Sequence, residues 1–164
     1  MSDYVLAYLL LGSNLGDRAA HLRQARQALA ATAGELVATS SLYETAAWGL
    51  EDQPAFLNQA LAVRTALSAP ALLAACLAAE QQAGRERHQR WSARTLDVDI
   101  LLYGQEIIAT PTLTIPHPAL PARRFALLPL TQIAPQLVHP QLQRTVAELL
   151  ATCPDPLPVQ LVPS

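Results

Sequence analysis

The stretch GRERHQRWSARTLDVDI, residues 84–100, decides how the rest of the chain is interpreted. Its last part has the composition of a β-strand. Because side chains alternate across a strand, Asp97 and Asp99 point to one face, while Val98 and Ile100 point to the other face and pack on a core. Two adjacent carboxylates repel each other unless a partner neutralises them. A hard cation with oxygen ligands is the natural partner, so both aspartates are predicted metal ligands.

The first part of the same stretch is a cluster of arginines, which are Arg85, Arg87, Arg90 and Arg94. All 11 basic residues of the chain are arginine. The lack of lysine excludes a P-loop lysine, Schiff-base chemistry and a lysine general base. Guanidinium groups bind phosphates through paired hydrogen bonds. The stretch therefore predicts a site for Mg²⁺ and a polyphosphate.

Composition is typical of one folded domain over residues 1–164, with a core at about 4–150. Hydrophobic residues make up 51% of the 164 residues and charged residues 15%, which argues against disorder. The net charge of −2 gives no overall basic field for nucleic acid. No apolar run reaches the roughly 20 residues that span a bilayer, and the start has no secretory pattern. Cys76 and Cys153 lack metal-binding spacing and are predicted reduced thiols of a cytoplasmic protein.

The periodicity of apolar residues predicts the order strand, helix, strand, strand, helix, strand. The four strands are expected at about 4–11, 36–44, 56–65 and 94–103, and the two helices between Asp17 and Gly34 and between Ser68 and Gly84. This order predicts a ferredoxin-like βαββαβ α+β fold, an antiparallel sheet with helices on one face. A Pro-rich and helical C-terminal extension follows, with helices at about 119–130 and 145–152 and an irregular tail at 153–164.

Two loops and one strand face admit alternatives. Residues 12–17, GSNLGD, link a strand to a helix as a phosphate loop does, but they lack the full glycine spacing and the lysine, which favours a tight turn with a helix cap. Trp48 belongs either to a small hydrophobic cluster or to a ligand lid. Phe56 and Asn58 share the strand face opposite the core, which suits a flat heterocycle. The alternative is a surface aromatic and an asparagine near a turn.

Seven motifs occur in order and with close spacing between about residues 4 and 140. They are Gly12-Ser-Asn, Tyr43-Glu-Thr, Asp52-Gln-Pro-Ala-Phe-Leu-Asn58, Gly84-Arg-Glu-Arg, Arg90-Trp, Arg94-Thr-Leu-Asp-Val-Asp-Ile100 and Leu113-Thr-Ile-Pro-His117. Together they resemble the 6-hydroxymethyl-7,8-dihydropterin pyrophosphokinase family of folate biosynthesis. The resemblance implies transfer of pyrophosphate from ATP to the hydroxymethyl group of a reduced pterin, with release of AMP. It also implies two Mg²⁺ ions and in-line attack on the β-phosphorus.

The resemblance further implies roles for individual residues. Asp97 and Asp99 correspond to the metal ligands and, with Arg85 and Arg94, form the predicted catalytic set. The predicted ATP-binding residues are Glu80, Arg85, Arg87, Trp91, Arg94, Ile100, Thr114, His117 and Arg123. The predicted pterin-binding residues are Thr45, Ala46, Trp48, Phe56, Asn58 and Phe125, with the two phenylalanines as the stacking pair. The chain departs from other members at Ala46, Ala47, Trp48, Leu77, Thr112 and Pro118, and its arginine loop is one residue shorter than in some of them.

Three other functions compete with this interpretation. A nucleic-acid-binding module would need a basic sheet face with exposed aromatics, whereas this face carries two acids and aromatic residues are only 5% of the chain. A regulatory small-molecule-binding domain would not need two adjacent carboxylates. A metal-dependent transferase of another class would use the same aspartate pair. We expect a monomer that binds ATP and hydroxymethyl-dihydropterin, and neither nucleic acid nor membrane.

Overall fold

The computed structural model describes residues 3–45, 55–84 and 95–163. It is an α+β structure whose strands are β1 (Val5–Ser13), β2 (Glu35–Thr39), β3 (Tyr43–Thr45), β4 (Phe56–Thr65), β5 (Asp97–Tyr103), β6 (Ile108–Ala109), β7 (Thr114–Ile115) and β8 (Val159–Leu161). The helices are α1 (Arg18–Thr32), α2 (Ala69–Gln82), α3 (Arg124–Ile133) and α4 (Val146–Ala151), and Leu120–Ala122 form a 3-10 turn. Within these described ranges, no helix has the length and apolar character needed to span a membrane.

The main sheet has the strand order β5-β1-β4-β3-β8, and β2 also pairs with β4. All of these pairings are antiparallel. One cross-strand row of residues runs through four strands. Gly12 of β1 is opposite Asp97 of β5 on one side and opposite Asn58 of β4 on the other. Asn58 is in turn opposite Tyr43 of β3. Neighbouring strands lie about 4.8 Å apart, so roughly 10 Å separates the backbones of Asp97 and Asn58.

The first face of the sheet is covered by α1 and α2, as predicted. Leu9 and Leu11 of β1, with Val98 and Ile100 of β5, pack there against apolar side chains of both helices. The buried helix residues are Leu22, Ala25 and Leu29 of α1 and Ala69, Leu72, Cys76 and Ala79 of α2. Asp17 and Ser68 cap the two helices by accepting from the N–H groups of Ala20 and Ala71.

The second face is covered in part by α3 and α4, so helices lie on both sides of the sheet. Tyr8 and Leu10 of β1 and Leu102 of β5 pack here against the two helices. Their buried residues are Ala126, Leu127, Leu130, Val146 and Leu149. The prediction of helices on one face therefore holds for α1 and α2 alone. By strand alternation, the side chains of Asp97, Asp99 and Asn58 also lie on this second face, at or next to the cross-strand row that contains Gly12.

Three predicted boundaries were wrong. The helix expected at about 119–130 is a 3-10 turn at Leu120–Ala122 followed by α3, because Arg123 between them has an extended backbone. The single strand expected at 36–44 is two strands, β2 and β3. They are interrupted at Ser40, whose hydroxyl accepts the hydrogen bond from the Ala60 N–H in place of a backbone carbonyl. The tail expected to be irregular over 153–164 contains β8, whose Leu161 is opposite Tyr43 of β3. The many prolines of this tail suggested irregular backbone, but residues 159–161 contain none, so their N–H groups are free to pair with β3.

Candidate active site

Asp97 and Asp99 lie side by side on the second face of β5, and both are half-buried. The intervening Val98 and the following Ile100 are each only 5% exposed and belong to the core on the first face. The alternation predicted from the sequence is therefore confirmed. Two carboxylates on a packed strand are a fixed pair of oxygen ligands, which suits Mg²⁺ because this ion is usually bound by one or two carboxylates together with substrate phosphates.

The helix α2 contacts β5 between the two aspartates. Glu80, near the C-terminal end of α2, is 6% exposed, and its Oε2 accepts a hydrogen bond of 2.8 Å from the backbone N–H of Val98. This carboxylate thus contacts the backbone that carries the predicted metal ligands. Its contact with ATP stays a prediction.

The segment before the 3-10 turn lies along β5 and brings His117 to the site. The backbone N–H of His117 donates to the Leu101 carbonyl at 2.9 Å, and its Nδ1 accepts from the Ala119 N–H at 3.1 Å. Burial lowers the pKa of His117, the Asp99 carboxylate opposes this effect, and Arg123 adds to it. Because Nδ1 accepts a hydrogen bond, the neutral ring carries its proton on Nε2 and can donate from there.

Arg123 and Phe125 flank the start of α3 and contact each other. The Cζ of Arg123 lies 5.6 Å from the centroid of the Phe125 ring, within the range of a cation–π interaction. Arg124 between them donates its backbone N–H to Oδ2 of Asp155, and its guanidinium donates to the carbonyls of Cys153 and Asp155. The C-terminal tail thus fixes the backbone from which both predicted ligand-binding side chains project.

The strands β3 and β4 place the predicted pterin residues next to one another. Thr45 is opposite Phe56 in the ladder, and Asn58 follows on the same face of β4. Asn58 is 4% exposed and donates from Nδ2 to the Leu11 carbonyl at 3.3 Å. Within the part of the chain that the structure describes, Oδ1 of Asn58 and Oγ1 of Thr45 are buried without a hydrogen-bond partner. A buried polar atom left unpaired costs about 1–3 kcal/mol, so a polar ligand edge would satisfy these two atoms.

Gly12 is a site residue that the sequence interpretation missed. It was assigned to a turn, whereas Gly12 and Ser13 are the last residues of β1, and Asp17 is the cap of α1. A Cβ at Gly12 would lie 2.7 Å from Nδ2 of Asn58 and 3.8 Å from Cδ1 of Phe56. The absence of a side chain therefore makes room for the Asn58 amide. A glycine at the end of a strand pattern, where it marks close approach, was the available signal.

The remaining predicted residues divide into two groups. Thr114 is exposed in β7. Ile100 is packed in the core, so only its backbone would be able to contact ATP. The other predicted residues lie outside the described residues and stay predictions: Ala46, Trp48, Arg85, Arg87, Trp91 and Arg94. Among residues 3–45, 55–84 and 95–163, no three His, Cys, Asp or Glu side chains gather into a metal cluster.

Several known proteins are close relatives of this chain. The family model described as 7,8-dihydro-6-hydroxymethylpterin-pyrophosphokinase (HPPK) matches residues 8–135. A 2-amino-4-hydroxy-6-hydroxymethyldihydropteridine pyrophosphokinase of Methylorubrum extorquens is 45% identical over 157 residues, which are 95% of this chain and 98% of the relative. The enzyme of the same name from Haemophilus influenzae is 41% identical over 160 residues, 97% of this chain and 99% of the relative.

Solved structures show the same fold at low sequence identity. A crystal structure of HPPK-DHPS in complex with substrates has a TM-score of 0.72 and 14% identity, over 92% of this chain. A Plasmodium falciparum HPPK-DHPS crystal structure with pterin and p-hydroxybenzoate has a TM-score of 0.70 and 17% identity, over 90% of this chain. This chain spans 43% of the length of each of those two solved chains.

Together, the fold, the family model and the bacterial relatives define the chain as a pyrophosphokinase. It belongs to the 7,8-dihydro-6-hydroxymethylpterin-pyrophosphokinase family. The family resemblance stated from the sequence motifs is thereby confirmed.

Proposed function

We propose that this pyrophosphokinase transfers pyrophosphate from ATP to the hydroxymethyl group of 6-hydroxymethyl-7,8-dihydropterin in folate biosynthesis, giving the pterin diphosphate and AMP. The observation that carries the proposal is the cross-strand row that joins Asp97, Gly12 and Asn58. The row brings the carboxylate pair, which would hold the ATP phosphates through Mg²⁺, and Asn58, which would bind the pterin, to the same face on either side of β1. We expect the hydroxymethyl oxygen to attack the β-phosphorus in line.

The polyphosphate half of the site contains the charges that phosphoryl-type transfer needs. Asp97 and Asp99 would hold Mg²⁺, with two ions expected. When bound, the metal neutralises phosphate charge and lowers the pKa of the attacking hydroxyl. His117 would donate from Nε2 to a phosphate oxygen, and Arg123 would supply positive charge. Such reactions depend chiefly on positioning and charge stabilisation rather than on a strong general base.

The pterin half of the site supplies stacking and edge recognition. Phe56 and Phe125 are half-buried aromatics that would hold the flat ring between them. The buried Oδ1 of Asn58 accepts an N–H from the ring edge, and the hydroxyl of Thr45 can donate or accept. The proposal explains why these two polar atoms are buried and lack partners within the described protein.

Further parts of the proposal concern residues and properties beyond these contacts. Arg85 and Arg94 complete the catalytic set, and Arg87 and Trp91 contact the nucleotide. The fold is ferredoxin-like, which the order β5-β1-β4-β2 and the placement of α1 and α2 on one face support. The chain acts as a single-domain monomer in the cytoplasm, with the C-terminal residues as an extension of the domain.

Formation of AMP from ATP, measured with and without hydroxymethyl-dihydropterin, tests the proposed function. We expect AMP release to require the pterin and Mg²⁺. Asp97→Asn should lower kcat/KM at least about 100-fold, because it removes a predicted metal ligand. Each tenfold loss corresponds to 1.36 kcal/mol of transition-state stabilisation. It should also weaken the binding of Mn²⁺ to the enzyme–nucleotide complex, and this binding is measured without turnover.

Glu106→Gln is the matched control, because Glu106 is an exposed carboxylate just beyond β5. Its activity should stay within about twofold of the unaltered enzyme. An equal rate of AMP release with and without hydroxymethyl-dihydropterin would refute the proposed function. Near-normal turnover by Asp97→Asn would refute the metal assignment alone.

A further inference from the structure

Arg18, the first residue of α1, bridges the two strands that hold the predicted pterin residues. Its Nη1 lies 2.8 Å from Oε2 of Glu44 in β3 and also donates to the carbonyl of Ala55, just before β4, at 2.8 Å. The side chains of Arg18 and Glu44 are 30% and 38% exposed. One guanidinium nitrogen therefore joins three elements of the chain at one point.

The bridge lies on the first face of the sheet, opposite the ring pocket, at the end of β3 and β4 where Thr45 is paired with Phe56. Thr45 and Phe56 are register partners, and the residues that Arg18 contacts precede each of them by one position. The strand β3 is only three residues long, so few ladder hydrogen bonds hold Thr45 against β4. Along the chain, residues 46–55 separate the two strands. A cross-link at this end consequently restrains the spacing of Thr45 and Phe56.

We propose that Arg18 is a positioning residue for the pterin. By binding Glu44 and the Ala55 carbonyl together, it sets the distance between the Thr45 hydroxyl and the Phe56 ring, and so the fit of the substrate ring. This inference rests on the proposed function. Partly exposed ion pairs contribute little to folding stability, so the effect of Arg18 appears in substrate binding rather than in unfolding.

The experiment compares Arg18→Ala, Glu44→Ala and the double variant in steady-state kinetics and in pterin binding without turnover, followed by pterin fluorescence. The KM and Kd for the pterin should rise about tenfold in Arg18→Ala, because small misplacements of binding groups have effects of this size. The kcat and the KM for ATP should stay within about twofold. The pterin KM and Kd of the double variant should be no higher than those of Arg18→Ala, since both changes break the same bridge.

Arg64→Ala is the control, because Arg64 forms an ion pair with Glu35 at the other end of β4, with Nη1 3.3 Å from Oε1. It removes another arginine–glutamate pair, far from the predicted pterin residues, and should leave the pterin KM unchanged. Arg18→Lys keeps the charge but loses the planar fork, and it should recover part of the pterin affinity.

An unchanged pterin KM and Kd in Arg18→Ala, with an active unaltered enzyme, would overturn this proposal and leave the proposed function standing. Equal rises in the KM for ATP and for the pterin would also overturn it, because they indicate general distortion. If Arg18→Ala fails to fold, Glu44→Ala still removes the acceptor on β3 and should raise the pterin Kd, and an unchanged Kd there would overturn the proposal. An unaltered enzyme that makes no pterin diphosphate would overturn both proposals.

Discussion

The carboxylate of Glu80 accepts a hydrogen bond from the backbone N–H of Val98 across 2.8 Å, at the one residue that separates Asp97 from Asp99. The strand β5 lies at the edge of the main sheet, so a side chain from α2 satisfies a donor that points away from β1. The bond is buried, which increases the cost of losing it. Glu80 therefore couples the end of α2 to the spacing of the predicted metal ligands.

Glu80→Ala should lower the free energy of unfolding by about 1–3 kcal/mol, because it leaves the Val98 N–H buried and unpaired. It should also weaken Mg²⁺–ATP binding by shifting the two aspartates. Glu80→Gln keeps an acceptor oxygen and should be the milder change. Urea unfolding and hydrogen exchange at the Val98 amide measure the first effect, and nucleotide titration measures the second.

Gln81→Ala is the control for this prediction, since Gln81 is the exposed neighbour on the same helix and should change stability by less than about 0.5 kcal/mol. Unaltered exchange of the Val98 amide in Glu80→Ala would show that the bond does not protect β5.

Gly12→Ala should disturb the pterin side of the site. The new Cβ would lie 2.7 Å from Nδ2 of Asn58, so the amide must move and lose its bond to the Leu11 carbonyl. We expect a stability loss of about 1–3 kcal/mol from overpacking and a clear loss of pterin affinity, with ATP binding less affected. Thermal unfolding and pterin binding by fluorescence measure the two effects.

Pairing Gly12→Ala with Asn58→Ser separates the two effects, because the smaller side chain relieves the clash. The double variant should regain stability but not pterin affinity. Full recovery of pterin binding would argue against a role for the Asn58 amide in recognising the ring.

Asp155→Ala should loosen the start of α3. The Asp155 carboxylate is 4% exposed and accepts from the N–H groups of Arg124 and Leu157, each at 3.0 Å. Its removal should cost about 1–3 kcal/mol of unfolding free energy, and Asp155→Asn, which keeps one acceptor, should cost less. Because Arg123 and Phe125 flank Arg124, the pterin KM should rise as well. Denaturant unfolding and steady-state kinetics check both parts, and unchanged stability in Asp155→Ala would contradict the prediction.

Stability should fall at acidic pH in part through His139. This ring is 3% exposed, and its Nδ1 accepts from the N–H groups of Gln141 and Leu142 at 3.3 and 3.1 Å. Burial lowers the pKa of His139 in the folded protein below the value of about 6.5 expected when unfolded. The stabilisation is therefore complete above about pH 6.5 and is lost as the pH falls through the lower folded-state pKa.

Urea unfolding at pH 7.5 and pH 5.0 measures this contribution. The difference in unfolding free energy between the two pH values should be smaller in His139→Asn, which keeps an acceptor but does not titrate. His117, whose pKa is also lowered, is present in both proteins, so its effect cancels. An identical pH dependence in both proteins would rule out His139 as a contributor.

Several features of this protein were predictable from the sequence because they depend on local geometry. The opposite faces of Asp97 and Val98 follow from the alternation of side chains along any strand. The cap Ser68 follows from the unpaired N–H groups that begin every helix, whereas Asp17 and Asn14 were both candidates for the cap of α1 and the structure shows Asp17 in that role. The bounds of β4, Phe56–Thr65, agree with its run of apolar residues. The family, too, was indicated by the order and spacing of the sequence motifs alone.

Tertiary structure alone decided which distant segments meet. The pairing of β8 with β3, the bond from Val98 to Glu80 and the bridge from Arg18 to Ala55 all join segments that are far apart in the sequence. Val98 and Glu80 are 18 positions apart, and Arg18 and Ala55 are 37 positions apart. No local period encodes such contacts, because they depend on strand register and on the direction in which a helix crosses the sheet. The sequence predicts which residues carry the chemistry, and the packing determines what holds in place those of them that the structure describes.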